Sequence, residues 1–524
     1  MHESPGGELI TVQVGTTANY FGAHYWNLLD EQLKVPAQGE RCRLGCRRWF
    51  REAVDARGAE HVAPRTIVFD ARPEFGCLTS ESEDTVSADA HAAWRGHVQR
   101  LELVPSMEKH AFTQSLEHSE EVLARDYRFD ESVRHWSDYL QLRLPPWALV
   151  EAPVEWKPSH APLPPEAIVE HFQQARSGNM DGISVAADTL LERVRRLAEE
   201  CDQWSGVDVF TSATSPADAG LTALLTERLV DEQAAKMPIV VRGVDAASEF
   251  PLREWVARQC GEALLFADLA TSSTAADNDH LVYVPLRSAA LGDGCGGLLP
   301  SRTANVFQSA ALLAAAACAH EIGTPIGGTG VHDGLHPRWP ISGRHRLMVE
   351  LRAAMSAASR PGEPFSWCLS VSPALRRDWR CDRRPRERSQ HTRLGDVDTE
   401  NAEDGGEWYR RALALLNTEA APALATAETR ATLRLPVPFP ASLYAVAKPL
   451  DHLRKDVGPQ LTFHTTSEQS LCTGADIDAW ASLVRHASRL LRRPGAVVTA
   501  TDADLFAEAD ERLRILADAY IEGT

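Results

Sequence analysis

The chain has no cysteine pair at Cys-x-x-Cys spacing, although it holds 10 cysteines, at 42, 46, 77, 201, 260, 295, 318, 368, 381 and 472. The tightest pair is Cys42-x3-Cys46, and a zinc site built on it would need two more ligands that the neighbouring sequence does not offer. Scattered thiols of this kind read as reduced cysteines of a cytosolic protein. An excess of positive charge is missing too. Lys and Arg total 54 against 73 Asp and Glu, a net charge of −19, which argues against a broad nucleic-acid binder because neutralising phosphates takes clustered cations. No uninterrupted apolar run reaches the roughly 18 residues of a membrane span. The best candidate, "SAALLAAAACA" (309–319), reads as a buried helix. The opening "MHESPGGELITVQV" lacks the basic n-region of a secretory signal and the arginines of a mitochondrial transit peptide. The glycine-rich pieces "LGDGCGG" (291–297) and "GTPIGGTGVHDG" (323–334) lack the following Lys-Ser/Thr pair of a P-loop and read as surface turns. Together these absences describe a soluble cytoplasmic chain whose membrane contacts, if any, are peripheral.

What is present suits a large α/β protein. With 524 residues, 44% hydrophobic, the chain can bury a core without disulfides and has room for two or three domains. Residues 8–15 read as a strand on Leu9, Ile10, Val12 and Val14, ended by Gly15. A helix follows from about Asn19, with Phe21, Tyr25, Leu28 and Leu29 on its apolar stripe. "TIVFD" (66–70) is a short apolar strand ending in Asp70, a common ligand or Mg²⁺ position in such sheets and an equally common turn residue. "VRHWSDYLQLRL" (133–144) has helical spacing, with Val133, Trp136 and Leu140 on one side. The stretch 145–166 holds seven prolines and cannot be helical throughout. Residues 183–204 make a strong amphipathic helix, followed by strands at 207–213 and 237–244 with a helix between them. This alternation predicts a doubly wound, mainly parallel sheet. Residues 376–393 contain eight arginines and are followed by an acidic run at 396–407, which reads as a solvated loop or, alternatively, a basic patch for anionic lipid. "HDGLH" (332–336) and "AHE" (319–321) offer His332 and His320 to an unrelated enzyme chemistry, but no partner motif accompanies them.

The stretch "ELITVQVGTTANYFGAHYWN" (8–27) resembles the first strand, phosphate loop and first helix of the tubulin/FtsZ superfamily, with Gln13, Gly15, Asn19, Gly22, Ala23 and Trp26 coinciding. "PRTIVFD" (64–70) and residues 199–225 resemble further tubulin segments in the same order. Within the superfamily the chain most resembles the Misato family, on "GAHYWN" (22–27), "VRHWSDYL" (133–140), "AAWRGHV" (92–98) and the 307–326 segment. That resemblance implies a tubulin/FtsZ-like α/β fold, mainly a parallel sheet with helices on both faces, plus a second α+β domain and C-terminal helices. The expected boundaries are 1–300, with a Pro-rich insertion at 145–166; a core helix region at 301–325; a second domain at 326–460, carrying the charged loop 376–407; and helices over 461–524.

The resemblance also implies a pocket made of Gly15, Thr16, Thr17, Asn19, Asp70, Ser212 and Gly220. It is degenerate. The tubulin glycine loop falls on Thr214–Gly220, where Pro216 removes an N–H donor and Asp218 puts a carboxylate in the place of a phosphate. "SPADAGLTALL" (215–225) also reads as an ordinary helix start, with Ser215 as N-cap and Pro216 at N1. Asp70 or Asp218 could hold Mg²⁺. Arg72 stands where tubulins have an acidic residue, and could neutralise an anion. The residues 349–355 take the place of the loop and core helix that carry the tubulin catalytic acid, with Ala353 at the catalytic position and Glu350 one turn earlier. The resemblance therefore implies a non-catalytic protein of mitochondrial distribution and morphology. It would act through protein partners, cytoskeletal or mitochondrial, with peripheral contact to the mitochondrial outer membrane and no nucleotide cofactor. The alternative is a GTP-binding or GTP-hydrolysing polymer subunit using GTP and Mg²⁺.

Overall fold

A computed structural model of the chain describes residues 7–33, 48–54, 60–78, 107–117, 127–157, 164, 167–232, 238–246, 252–275, 281–287, 305–322, 324–325, 349–357, 366–370, 426–440, 462–471, 481–482, 484–485 and 500–522. The zinc candidate Cys42/Cys46, the "AAWRGHV" segment, His332, the glycine-rich piece 291–297 and the charged loop 376–407 lie outside these residues.

In chain order the first half runs β1 (Glu8–Val14), α1 (Thr16–Leu33), β2 (Phe50–Val54), β3 (Glu60–Pro64), β4 (Thr66–Asp70), α2 (Ala111–Glu117), α3 (Phe129–Ser132), β5 (Leu149–Glu151), α4 (Ala167–Arg176) and α5 (Ile183–Glu199). It continues with β6 (Trp204–Thr211), α6 (Pro216–Glu232), β7 (Ile239–Asp245), α7 (Leu252–Ala275), β8 (Leu281–Arg287) and α8 (Val306–Ile322). The remaining elements are β9 (Thr324–Pro325), β10 (Val349–Ala357), β11 (Ser366–Ser370), β12 (Thr426–Arg434), β13 (Thr462–Leu471) and α9 (Ala500–Glu522).

β1 is buried along its whole length, as a strand must be when parallel neighbours flank it and helices cover both faces. It lies inside a six-stranded sheet of order β5-β4-β1-β6-β7-β8, in which every neighbouring pair is parallel. The pleat sends Ile67 and Phe69 to one face and Val68 to the other. On the first face Ile10, Val12 and Val14 meet α4, α5, α6, α7 and α9. On the second, Val68, Phe210 and Val240 meet α1 and α8. The fold is tubulin-like α/β. In α5 the buried positions Ile183, Ala186, Ala187, Leu190, Leu191, Val194 and Leu197 follow the helical period read from the sequence.

α8 is mostly apolar, and its side chains from Phe307 to Ala319 are buried. It packs against α1 and against β12 and β13 of a second sheet, of order β11-β10-β13-β12-β9, antiparallel throughout. α1 is also tied to this part of the chain directly. The Gln32 amide donates to the Arg434 carbonyl (2.9 Å), and its oxygen accepts the Arg434 N–H (3.0 Å).

Three local readings are corrected. Residues 462–471 are strand β13, not helix, so the antiparallel sheet extends past the boundary expected at 460. The segment 133–144 is not a regular helix; it contains a 3₁₀ turn over Trp136–Tyr139, flanked by extended His135 and Leu140. Asp138 Oδ2 accepts the Arg134 and His135 N–H groups at 2.8 and 2.9 Å, which closes this tight turn. A 3₁₀ turn also places residues three apart on one side, so the apolar spacing alone could not separate the two. Inside the proline-rich stretch, Leu149–Glu151 pair with β4 as edge strand β5, where proline neighbours are tolerated.

Two buried polar groups link the faces. Arg242 on β7 donates from Nε to both Asp208 oxygens on β6, each at 3.0 Å, and from Nη2 to Glu321 on α8. His24 on α1 is fully buried, with Nε2 2.9 Å from the Phe307 carbonyl and its ring 4.4 Å from that of Tyr139. Burial pushes the His24 pKa down to about 3, against which the Phe307 carbonyl acts only weakly. The unfolded chain therefore takes up a proton on His24 below its ordinary pKa while the folded chain does not, so stability falls as pH falls. His24→Phe is expected to remove about 2 kcal/mol from the stability loss between pH 7.5 and pH 5, measured by urea unfolding. An unchanged pH slope in the variant would show that His24 is protonated in the folded protein.

Candidate functional site

The loops after β1, β4 and β6 meet at the carboxyl edge of the parallel sheet. The strand order reverses there. From β1 the chain passes to α1 on one face and on to β4, and from β6 it passes to α6 on the other face. A crevice at such a reversal is the usual ligand position in open parallel sheets.

Gly15 turns the chain from β1 into α1 with φ +91°, a left-handed conformation that favours glycine. A Cβ at this position would lie 2.2 Å from Asp218 Oδ2 and 2.7 Å from Ser212 Oγ. The crevice next to Gly15 is thus filled by side chains of the β6–α6 connection. Ser212 Oγ accepts the Ala18 N–H at 3.0 Å, satisfying a first-turn donor of α1. The connection itself is closed by the Ser215 N–H on the Ser212 carbonyl (2.9 Å), and α6 begins at Pro216 with Asp218 in its first turn.

Asp70, at the end of β4, is 1% exposed. Its Oδ1 accepts from the Thr16 hydroxyl and the Ala71 N–H, both at 2.9 Å. Its Oδ2 accepts from the Asn19 amide at 2.7 Å and the Trp136 indole at 3.1 Å. Burial pushes the Asp70 carboxyl well up, and the Asn19 and Thr16 donors pull it back. Asp218 is fully buried, and its Oδ1 accepts from the Trp156 indole at 3.1 Å. Trp156 sits edge-on to Phe69, ring centroids 5.1 Å apart.

The structure thus gathers Gly15, Thr16, Asn19, Asp70, Ser212 and Asp218. Thr17 is buried in the first turn of α1. Gly220 faces away: a Cβ there would meet the Phe172 carbonyl at 2.4 Å, so it serves the close packing of α6 on α4. Arg72 donates to the Leu78 carbonyl and pairs with Glu151 at 3.2 Å, rather than pointing at a bound anion. Residues 349–357 form strand β10, paired with β11 and β13, which corrects their assignment to the loop and core helix of a catalytic acid. His320 lies in the last turn of α8. Among the described residues no group of three or more His, Cys, Asp or Glu side chains is arranged to hold a metal ion. Trp136 and Trp156 were not among the expected site residues. Each reaches its carboxylate from more than 60 positions away, so no local spacing marks them.

These residues do not fit the phosphate groups of a nucleotide. The position beside Gly15 holds a carboxylate, Pro216 has no N–H, and both Asp70 oxygens are engaged within the chain.

Residues 7–118, which carry β1, α1 and β4, match the family model described as the Misato Segment II tubulin-like domain. Over these residues the chain is similar to the Misato family. Among Misato-type relatives, Protein DML1 of Coccidioides immitis is 28% identical over 288 residues, 53% of this chain and 51% of that protein. Protein dml1 of Aspergillus niger is 29% identical over 236 residues, covering 44% and 45%. Protein misato homolog 1 of Danio rerio is 25% identical over 267 residues, covering 44% of each. The matches span about half the length of these relatives or less. The Misato model covers Gly15, Thr16, Thr17, Asn19 and Asp70, while Ser212, Asp218 and Gly220 lie beyond it. No helix among the described residues is long and apolar enough to cross a membrane.

Proposed function

We propose that this chain is a non-catalytic tubulin-like protein that acts in mitochondrial distribution and morphology through protein–protein contacts. The observation that carries the non-catalytic part is the filled crevice: Asp218 beside Gly15, and Asp70 with donors on both oxygens. A nucleotide phosphate entering there would find the space beside Gly15 taken by the Asp218 side chain and the Thr16, Asn19 and Ala71 donors already engaged by Asp70. The mitochondrial part rests on the Misato resemblance. On this reading the chain works in the cytoplasm, in peripheral contact with the mitochondrial outer membrane and with mitochondrial or cytoskeletal proteins. The competing reading, a GTP-binding or GTP-hydrolysing polymer subunit, draws on the left-handed turn at Gly15 and the presence of Asp70 at its strand end.

Protein purified with Mg²⁺ present is expected to release no stoichiometric guanine nucleotide on denaturation, and not to pellet in response to GTP. Stoichiometric nucleotide, with turnover that disappears in Asp70→Ala, would replace this reading with the competing one. For the cellular part, depletion is expected to alter the mitochondrial network, and a tagged chain to leave mitochondria on a high-salt wash. An unaltered network on depletion would overturn it.

A further inference from the structure

We infer that Asp218 is a built-in ligand, a carboxyl side chain of the protein seated permanently where this kind of sheet receives the charged group of a ligand. The inference rests on the reading that the crevice takes no nucleotide, and it names what takes the nucleotide's place.

Two helices, α1 and α6, begin at the crevice from opposite faces of the sheet. A helix N-terminus carries unpaired N–H groups and partial positive charge, and it favours an anion. A carboxyl group of the chain sits at each end. Asp70 accepts from the Thr16 and Asn19 side chains in the first turns of α1, and Asp218 lies in the first turn of α6. Ser212 Oγ takes the Ala18 N–H, so a backbone donor that could face a ligand is also engaged.

The two carboxylates are closed over in the same way. An indole N–H can only donate, and a buried one needs an acceptor. Trp136 finds Asp70 and Trp156 finds Asp218, both tryptophans coming from the segment between β4 and α4. The described parts of that segment that carry Trp136 and Trp156 are therefore anchored at the crevice by the carboxyl groups inside it. The contact of Asp218 with Gly15 is the most specific feature. Glycine leaves room at this turn, and the room holds Asp218 Oδ2. A tethered carboxylate is present in every molecule, so the β1–α1 turn and the cover over it form without any dissolved anion.

Removing the carboxylate should turn the crevice into a real anion site. In the full chain, Asp218→Ala is expected to lower the Tm by about 4 °C. Formate or inorganic phosphate should restore much of this loss, and chloride at matched ionic strength should not. The wild type should respond to all three salts alike. Asp218→Asn keeps the side-chain volume, so it should fold and show no anion-specific recovery. If Asp218→Ala fails to fold, the yield of refolded protein in formate against chloride replaces Tm as the readout, with the same expectation. An unchanged Tm in Asp218→Ala, a recovery equal in all salts, or formate recovery in Asp218→Asn would each overturn the inference. Lack of recovery leaves the non-catalytic reading intact, whereas stoichiometric GTP in the wild type removes that reading whatever the salts do.

Discussion

Arg242→Met is expected to destabilise the protein by about 3–5 kcal/mol, because it leaves buried carboxylates without their counter-ion. Arg242 is 3% exposed and holds Asp208 and Glu321, themselves buried, on different elements. Against a total stability of about 5–15 kcal/mol, that loss is at least a fifth of what holds the fold. The pH dependence identifies the cause. Burial pushes the Asp208 pKa up to about 6 even with Arg242 opposing it. Between the unfolded carboxylate value, about 4, and this folded value, the native state binds the extra proton. The Asp208 contribution to stability therefore falls as pH rises through that window. Without Arg242 the carboxyl rises further and the window extends upward, so the variant should lose less against wild type at pH 5.5 than at pH 7.5. Urea unfolding at the two pH values measures this. A combined Arg242→Met, Asp208→Leu, Glu321→Leu chain should recover most of the loss, since apolar replacement of a whole buried ion cluster is often neutral. A single-variant loss below about 1 kcal/mol would mean that the carboxylates become solvated when Arg242 is absent.

Asp70→Ala should cost about 2–4 kcal/mol by stranding the donors of Trp136, Thr16 and Ala71 in a dry site. Asn19 suffers less, because its amide also donates to the Phe69 carbonyl at 3.1 Å. Asp70→Asn is the sharper test. The partners of both oxygens are donors, and of them only the Thr16 hydroxyl can turn round to accept. An amide NH₂ on either side would face a donor, so Asn should cost nearly as much as Ala despite its matching shape. Both variants should shift the Trp136 emission to the red as water reaches the indole. A near-neutral Asn variant would show that the carboxyl is protonated and donates in the wild type.

How far the sequence could be read depends on how local each signal is. β1 and the turn at Gly15 were legible because Leu9, Ile10, Val12 and Val14 dominate the strand and glycine marks the left-handed turn at its end. α5 was legible from its period, and α8 from an unbroken run of small apolar residues. β13 was read as helix, although "TFHTTSEQSL" carries the β-branched residues of a strand; its partners β10 and β12 are distant in sequence. The candidate site divides in the same way. Gly15, Thr16, Asn19 and Asp70 come from adjacent elements and could be named by resemblance. The tryptophan donors could not, because their contacts exist only once the chain between β4 and α4 folds back over the sheet edge. Gly220 shows the opposite failure: it matched a phosphate-loop position, but helix-to-helix contact accounts for the missing side chain.

The position of α8 has a consequence for synthesis. One face of the parallel sheet, together with α1, is covered by residues 306–322 and by Leu433, Leu435 and Phe439. The ribosome makes the strands of that sheet, from Glu8 to Arg287, before any of this cover. A nascent chain that has paired all six strands still lacks the α8 side chains, among them Phe307, that pack against α1 at His24. The first sheet is therefore completed by parts of the chain translated after it, and during that interval its apolar face is open to holding chaperones or to other nascent chains.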